Sequence, residues 1–103
     1  MRGSWIATAG AVCLAALVAV GARAETLDAV LAGCVPCHGE DGIARDSEVP
    51  HLAGQNEIYL ANQIRAFRSG ERVHPEMAFM TQDMADATIE ALAVYYSMLP
   101  ARP

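Results

Sequence analysis

The chain has 103 residues, room for one domain at most. It has seven arginines, no lysine and twelve carboxylates, for a formal net charge of −5. That balance argues against nucleic acid and anionic membrane surfaces as partners.

The first 24 residues read as a cleaved secretory signal. Met1-Arg2 is a short basic start, and Ile6 to Val20 is an uncharged run of mostly apolar and small residues. Ala22-Arg23-Ala24 fits the small-x-small cleavage rule, so Glu25 is the expected mature N-terminus. The alternative, an uncleaved anchor, is disfavoured because the apolar run is short for a span of about 20 residues. Cleavage leaves residues 25–103, with five arginines against all twelve carboxylates, a charge of −7. It also removes Cys13, so Cys34 and Cys37 remain as a pair in an exported chain. The residues before Cys13 make a poor lipoprotein site, and no stable membrane anchor is expected after cleavage.

Three helical stretches follow. The first runs from about Thr26 to Cys37, with Thr26 as N-cap and Asp28 at the positive end of the helix dipole. Leu27, Val30, Leu31 and Cys34 recur at helical spacing, and Pro36 should loosen the end. Residues 39–54 hold three glycines and Pro50 and read as a loop. The second helix spans about Asn56 to Arg68 on a Leu60, Ile64, Phe67 stripe, stopped at Ser69-Gly70. Residues 71–83 show no clean helical period and should be irregular at their start. The third helix spans about Asp86 to Met98, with Asp86 as candidate N-cap and Ile89, Leu92, Ala93 and Tyr96 buried; Pro100 ends it. No alternating run suggests a strand, so the domain is expected to be all-α, with about three main helices.

Cys34-Val35-Pro36-Cys37-His38 has the C-x-x-C-H spacing of covalent c-type haem attachment. Two thiols must reach two vinyl groups on one haem edge, and the next residue must turn its imidazole under the iron. A helical turn brings all three side chains to one side. The bland alternative is a Cys34–Cys37 disulfide, but a two-residue spacing more often means redox, metal or haem chemistry. A haem would also give a domain of this size the cofactor support that short chains tend to need.

His38 supplies one axial ligand. A second would come from Met77, Met80, Met84 or Met98, or from His51 or His74. A thioether ligand favours reduced iron and raises the potential. Met98 and Met84 read as packing residues, and His51 and His74 as exposed loop residues. Met77 and Met80 lie in the irregular segment, where a loop can wrap the far haem face, and Pro75 would stiffen the approach of Met77. Met77 ranks first and Met80 second.

Together these residues resemble the class I c-type cytochromes, in the short bacterial monohaem form. Cys34 to Gly39 resembles the attachment site, and Pro50-His51-Leu52-Ala53-Gly54-Gln55 the P-x-L-x-G-Q segment. Tyr59-Leu60, Gln63, Phe67 and Gly70 continue that spacing, and Leu92-Ala93-Val94-Tyr95-Tyr96 resembles the closing helix. The match covers nearly all of residues 25–103. The resemblance implies a small cytochrome c fold wrapped around one covalent haem c and its iron. It implies Cys34 and Cys37 as attachment points, and His38 and Met77 as axial ligands. The Pro50 carbonyl would accept a hydrogen bond from the non-ligating nitrogen of His38. Tyr96 would pack where the first and last helices cross. One departure concerns Met84-Ala85, where the family has Leu-Ser. Ala85 cannot cap, so Asp86 or Asp83 must do so, or the helix start is weaker.

The expected function is periplasmic electron transfer by one haem cycling between Fe(II) and Fe(III), with redox proteins as partners and no catalytic residues. The alternative is an electron-accepting subunit of a larger periplasmic oxidoreductase. Two further possibilities rank well below these: an open-site haem enzyme or sensor, and a zinc or thiol-redox module built on Cys34 and Cys37.

Overall fold

The computed structural model describes residues 1–17 and 25–103. The Ala22-Arg23-Ala24 cleavage motif lies outside the described residues, as does the end of the apolar run before it. Residues 1–17 carry no helix or strand and are exposed. None of the described helices is long and apolar enough to cross a membrane.

Four helices, and no strand among the described residues, make up the domain: α1 Leu27–His38, α2 Glu57–Ser69, α3 Pro75–Thr81 and α4 Asp86–Met98. The first two start where their caps dictate. The Thr26 hydroxyl accepts from the Ala29 amide at 3.3 Å, and the Asn56 side chain accepts from the Tyr59 amide at 3.0 Å. Each satisfies an amide that the helix itself leaves without a partner. α2 stops at Gly70, in the left-handed conformation at φ 83°.

The short α3 is an addition to the three helices expected. Its seven residues are too few to show a period, yet two local features start it. Pro75 stands in the first turn, where its fixed φ suits the helix and its missing N–H costs nothing. His74 is the cap, its Nδ1 accepting from the Met77 amide at 3.4 Å. Met77 and Met80 therefore sit on a helix, three residues apart and on one side of it, rather than on an irregular loop.

The start of α4 corrects the expectation for Asp86. Ala85 occupies the cap position, and no side chain caps the helix. Asp86 is the first helical residue, and its carboxylate accepts from Arg68 of α2 at 2.8 Å. The same guanidinium donates to the Met84 carbonyl at 2.8 Å. A cross-helix clamp thus stands where a local cap would.

The core joins three helices. Val30 of α1, Leu60 and Ala61 of α2, and Ile89, Leu92, Ala93 and Tyr96 of α4 form one buried cluster. Leu52, Ile64 and Met84 pack against it in part. Burying each large aliphatic side chain contributes about 1.5–3 kcal/mol. α4 is the central element: it packs on both α1 and α2, while α3 packs on α2. This arrangement holds the end of α1, with its two thiols and imidazole, against the last helix.

Candidate haem attachment site

α1 ends at the residues that carry the chemistry. Cys34, Cys37 and His38 share its last turns, at separations of three and four residues, so they project from one side. Both thiols are free, Cys34 half-buried and Cys37 exposed. Gly39 turns the chain out of the helix at φ 82°, a conformation that disfavours any residue with a side chain. A Cβ there would also run into the Ile43 carbonyl oxygen.

Cys34 donates weakly to the Val30 carbonyl at 3.5 Å. Burial pushes its thiol above the ordinary value, with the facing Tyr96 hydroxyl pulling the other way. Tyr96 is 3% exposed in the cluster it shares with Val30. Its buried hydroxyl has no hydrogen-bond partner, and burial raises it above the ordinary phenol range.

His38 is buried, at 7% exposure. Its Nδ1 lies 3.0 Å from the Pro50 carbonyl oxygen. A carbonyl can only accept, so Nδ1 carries a proton, and in the neutral imidazole Nε2 then keeps its lone pair. The loop keeps Pro50 in place through its own bonds. The Leu52 and Ala53 amides donate to the Gly42 carbonyl at 2.8 and 3.1 Å, and the Gly54 amide donates to the Tyr96 carbonyl at 2.9 Å. The Ala44 amide donates to Nδ1 of His51 at 2.9 Å. His51 and His74 are exposed, as expected of loop residues, but each accepts a backbone hydrogen bond that the sequence did not announce.

α3 approaches α1 through Met80. The Met80 methyl lies so near Gly33 that a Cβ on the glycine would come within 2.7 Å of it. Met80 is 43% exposed. Met77 is half-buried, and its backbone is tied at both ends. Its amide donates to His74, and its carbonyl accepts from the Thr81 hydroxyl at 2.8 Å. Thr81 is itself 1% exposed. Met98 points away, at 79% exposure, and Met84 packs against the core.

Two thiols, an imidazole with a free Nε2 and thioethers on α3 are the donor set a covalent haem requires. No family model matches the chain. Cytochrome c-554(548) of Halomonas halodenitrificans is 42% identical over 67 residues, covering 62% of this chain and 81% of that protein. The chain belongs to the class I c-type cytochromes. A thiosulfate dehydrogenase electron acceptor from Thiomonas intermedia is also 42% identical to this cytochrome, over 69 residues. That match covers 66% of this chain but 32% of the longer protein, so the cytochrome spans about a third of that relative's length. Reduced recombinant cytochrome c4 from Pseudomonas stutzeri has the same fold, at a TM-score of 0.61 and 32% identity, over 65% of this chain and 38% of that one. The cofactor of such a cytochrome is a covalent haem c with its iron.

Proposed function

We propose that this cytochrome is a periplasmic electron carrier with one haem c, attached at Cys34 and Cys37 and ligated by His38 and Met77. The observation that carries the proposal is the bond from His38 to Pro50, which sets the tautomer and leaves Nε2 free to bind iron. When bound, the haem supplies an iron that takes up and releases a single electron.

The chain's own residues supply position and environment. Cys34 and Cys37 anchor the porphyrin to α1, and α4 fixes α1 through the shared cluster around Val30 and Tyr96. Pro50 orients the imidazole and, by drawing on the Nδ1 proton, makes it a stronger donor. Met77 is favoured over Met80 because both ends of its backbone are held. Ligands held rigidly in both oxidation states keep reorganisation small. The charge of −7 after cleavage favours a redox partner with a basic docking face.

Export follows from the N-terminal segment. Cleavage after Ala24 predicts a mature protein that begins at Glu25 and contains two cysteines. Expression with the haem-maturation machinery, followed by intact mass and voltammetry, tests both points. The expected product is residues 25–103 plus one haem, with a reversible one-electron couple. A chain with unmodified thiols would overturn the proposal.

A second possibility is an electron-accepting subunit of a larger oxidoreductase. Its support is the 42% identity to a protein named as the electron acceptor of thiosulfate dehydrogenase. Co-purification of a second polypeptide with the tagged native protein would favour the subunit over the free carrier.

A further inference from the structure

We propose that His51 is a positioning residue for the haem ligand, a latch that aims the Pro50 carbonyl at His38. It occupies the position that the P-x-L-x-G-Q segment leaves open, so the role belongs to this chain rather than to the motif. The inference rests on the electron-transfer function proposed above, since it concerns how an axial imidazole is tuned.

The argument starts from the Ala44 amide. Ala44 is 4% exposed, and a buried amide without a partner costs about 1–3 kcal/mol. No backbone carbonyl takes it; Nδ1 of His51 does, at 2.9 Å. To accept, Nδ1 must be bare, so His51 is neutral with its proton on Nε2. This is the opposite tautomer to that of His38, whose Nδ1 donates at 3.0 Å to the carbonyl of the residue immediately before His51.

His51 and Pro50 are consecutive, so the latch and the carbonyl lie on one short piece of backbone. On its far side the same piece is held by the Leu52 and Ala53 amides on the Gly42 carbonyl. Residues 42–44 are buried and therefore firm. Segment 50–53 is thus pinned at two points, one by backbone alone and one by the His51 side chain. Without the side-chain point, Pro50 keeps the turn bond from the Val49 amide to the Asp46 carbonyl before it and the Gly42 bonds after it, but nothing ties residues 50–51 to the buried Ala44, and the Pro50 carbonyl can turn from His38. A weaker bond at Nδ1 makes the imidazole a poorer donor to ferric iron, which shifts the couple towards the reduced state.

Asn is the conservative replacement, because its Oδ1 hangs from Cγ as Nδ1 does in histidine and can accept from the same amide. Leu keeps bulk but cannot accept. The test compares His51→Leu and His51→Asn with the wild type, all as holoprotein, by voltammetry and by amide hydrogen exchange. In His51→Leu the Ala44 amide should exchange roughly tenfold faster, the equivalent of one hydrogen bond, and the midpoint potential should rise. His51→Asn should return both towards wild type.

A potential unchanged in His51→Leu, with faster Ala44 exchange, would show a structural tie that never reaches the ligand and would overturn the proposal alone. So would a raised potential that His51→Asn fails to restore. A chain without a redox couple would overturn the proposed function and, with it, this role for His51.

Discussion

Nδ1 of His38 donates to the Pro50 carbonyl across twelve residues of chain, at 3.0 Å. On the proposed ligation one side chain has two separable jobs: one nitrogen fastens it to the loop, and the other would be offered to iron. His38→Asn divides them. The Asn side-chain amide can still donate to Pro50 from the place of Nδ1, but nothing replaces Nε2. The expected holoprotein is folded and covalently loaded at Cys34 and Cys37, yet lacks the low-spin spectrum of a six-coordinate haem. Absorption spectra of the two oxidation states check this.

Ala85 is the weakest helix start in the domain, because nothing on it can cap. Ala85→Ser places a hydroxyl at an extended N-cap residue and should stabilise the fold by about 1 kcal/mol. For a domain of this length that is roughly 4–8 °C in Tm, readable by thermal denaturation.

Arg68→Ala should act in the other direction. It removes the donor to the Met84 carbonyl, worth about 1 kcal/mol as a single hydrogen bond, and it leaves Asp86 only the longer ion pair with Arg65 at 3.9 Å. Combined with Ala85→Ser, it should recover part of the loss, since both changes act on the same helix end. Denaturant titration of the single and double variants checks this coupling.

Acid should weaken the fold by a traceable route. Hydrogen bonding and charge from Arg68 hold the Asp86 carboxyl below its ordinary value, and the Ile43 amide, with lesser help from Arg45, does the same for Asp41. Carboxyls depressed in the folded state add stability above their unfolded value, near 3.9, and lose it as pH falls through the lower folded value. Stability should therefore decline below about pH 4. The decline should be shallower in Arg68→Ala, because the largest cause of the depressed Asp86 carboxyl is then gone and only the weaker pull of Arg65 remains. Chemical denaturation between pH 2 and 6 tests it.

Tyr96→Phe is expected to be neutral or slightly stabilising, despite the deep burial of the ring. The hydroxyl makes no hydrogen bond of good geometry and faces only the weakly polar Cys34 sulfur, so its removal frees no strong polar group and relieves a buried desolvated one. Truncation to Ala should instead cost about 3–5 kcal/mol, because the ring fills the space between α1 and α4. Thermal melts of both variants measure the contrast.

The sequence made these elements legible where local chemistry and periodicity agree. Thr26 and Gly70 mark a helix start and a helix end, and the Leu60–Phe67 stripe and the Ile89–Tyr96 set are buried or nearly so. α3 stayed hidden because a helix of about two turns shows no clear period, and its cap is a histidine rather than a usual capping residue. Asp86 was misread because its capping chemistry is claimed by Arg68, eighteen residues away, a contact no local pattern records. The bond between His51 and Ala44 is of the same kind. It depends on how the loop folds back on itself, and only the Pro50 contact could be anticipated, through the resemblance to a known segment.

The most direct test is the absorption spectrum of the oxidised, haem-loaded protein, with Met77→Ala and Met80→Ala beside it. A sulfur-to-iron charge-transfer band should be present in the wild type, lost in Met77→Ala and kept in Met80→Ala. A band that survives in Met77→Ala and vanishes in Met80→Ala would contradict the ligand assignment. Absence of the band from the wild type would contradict His/Met ligation altogether.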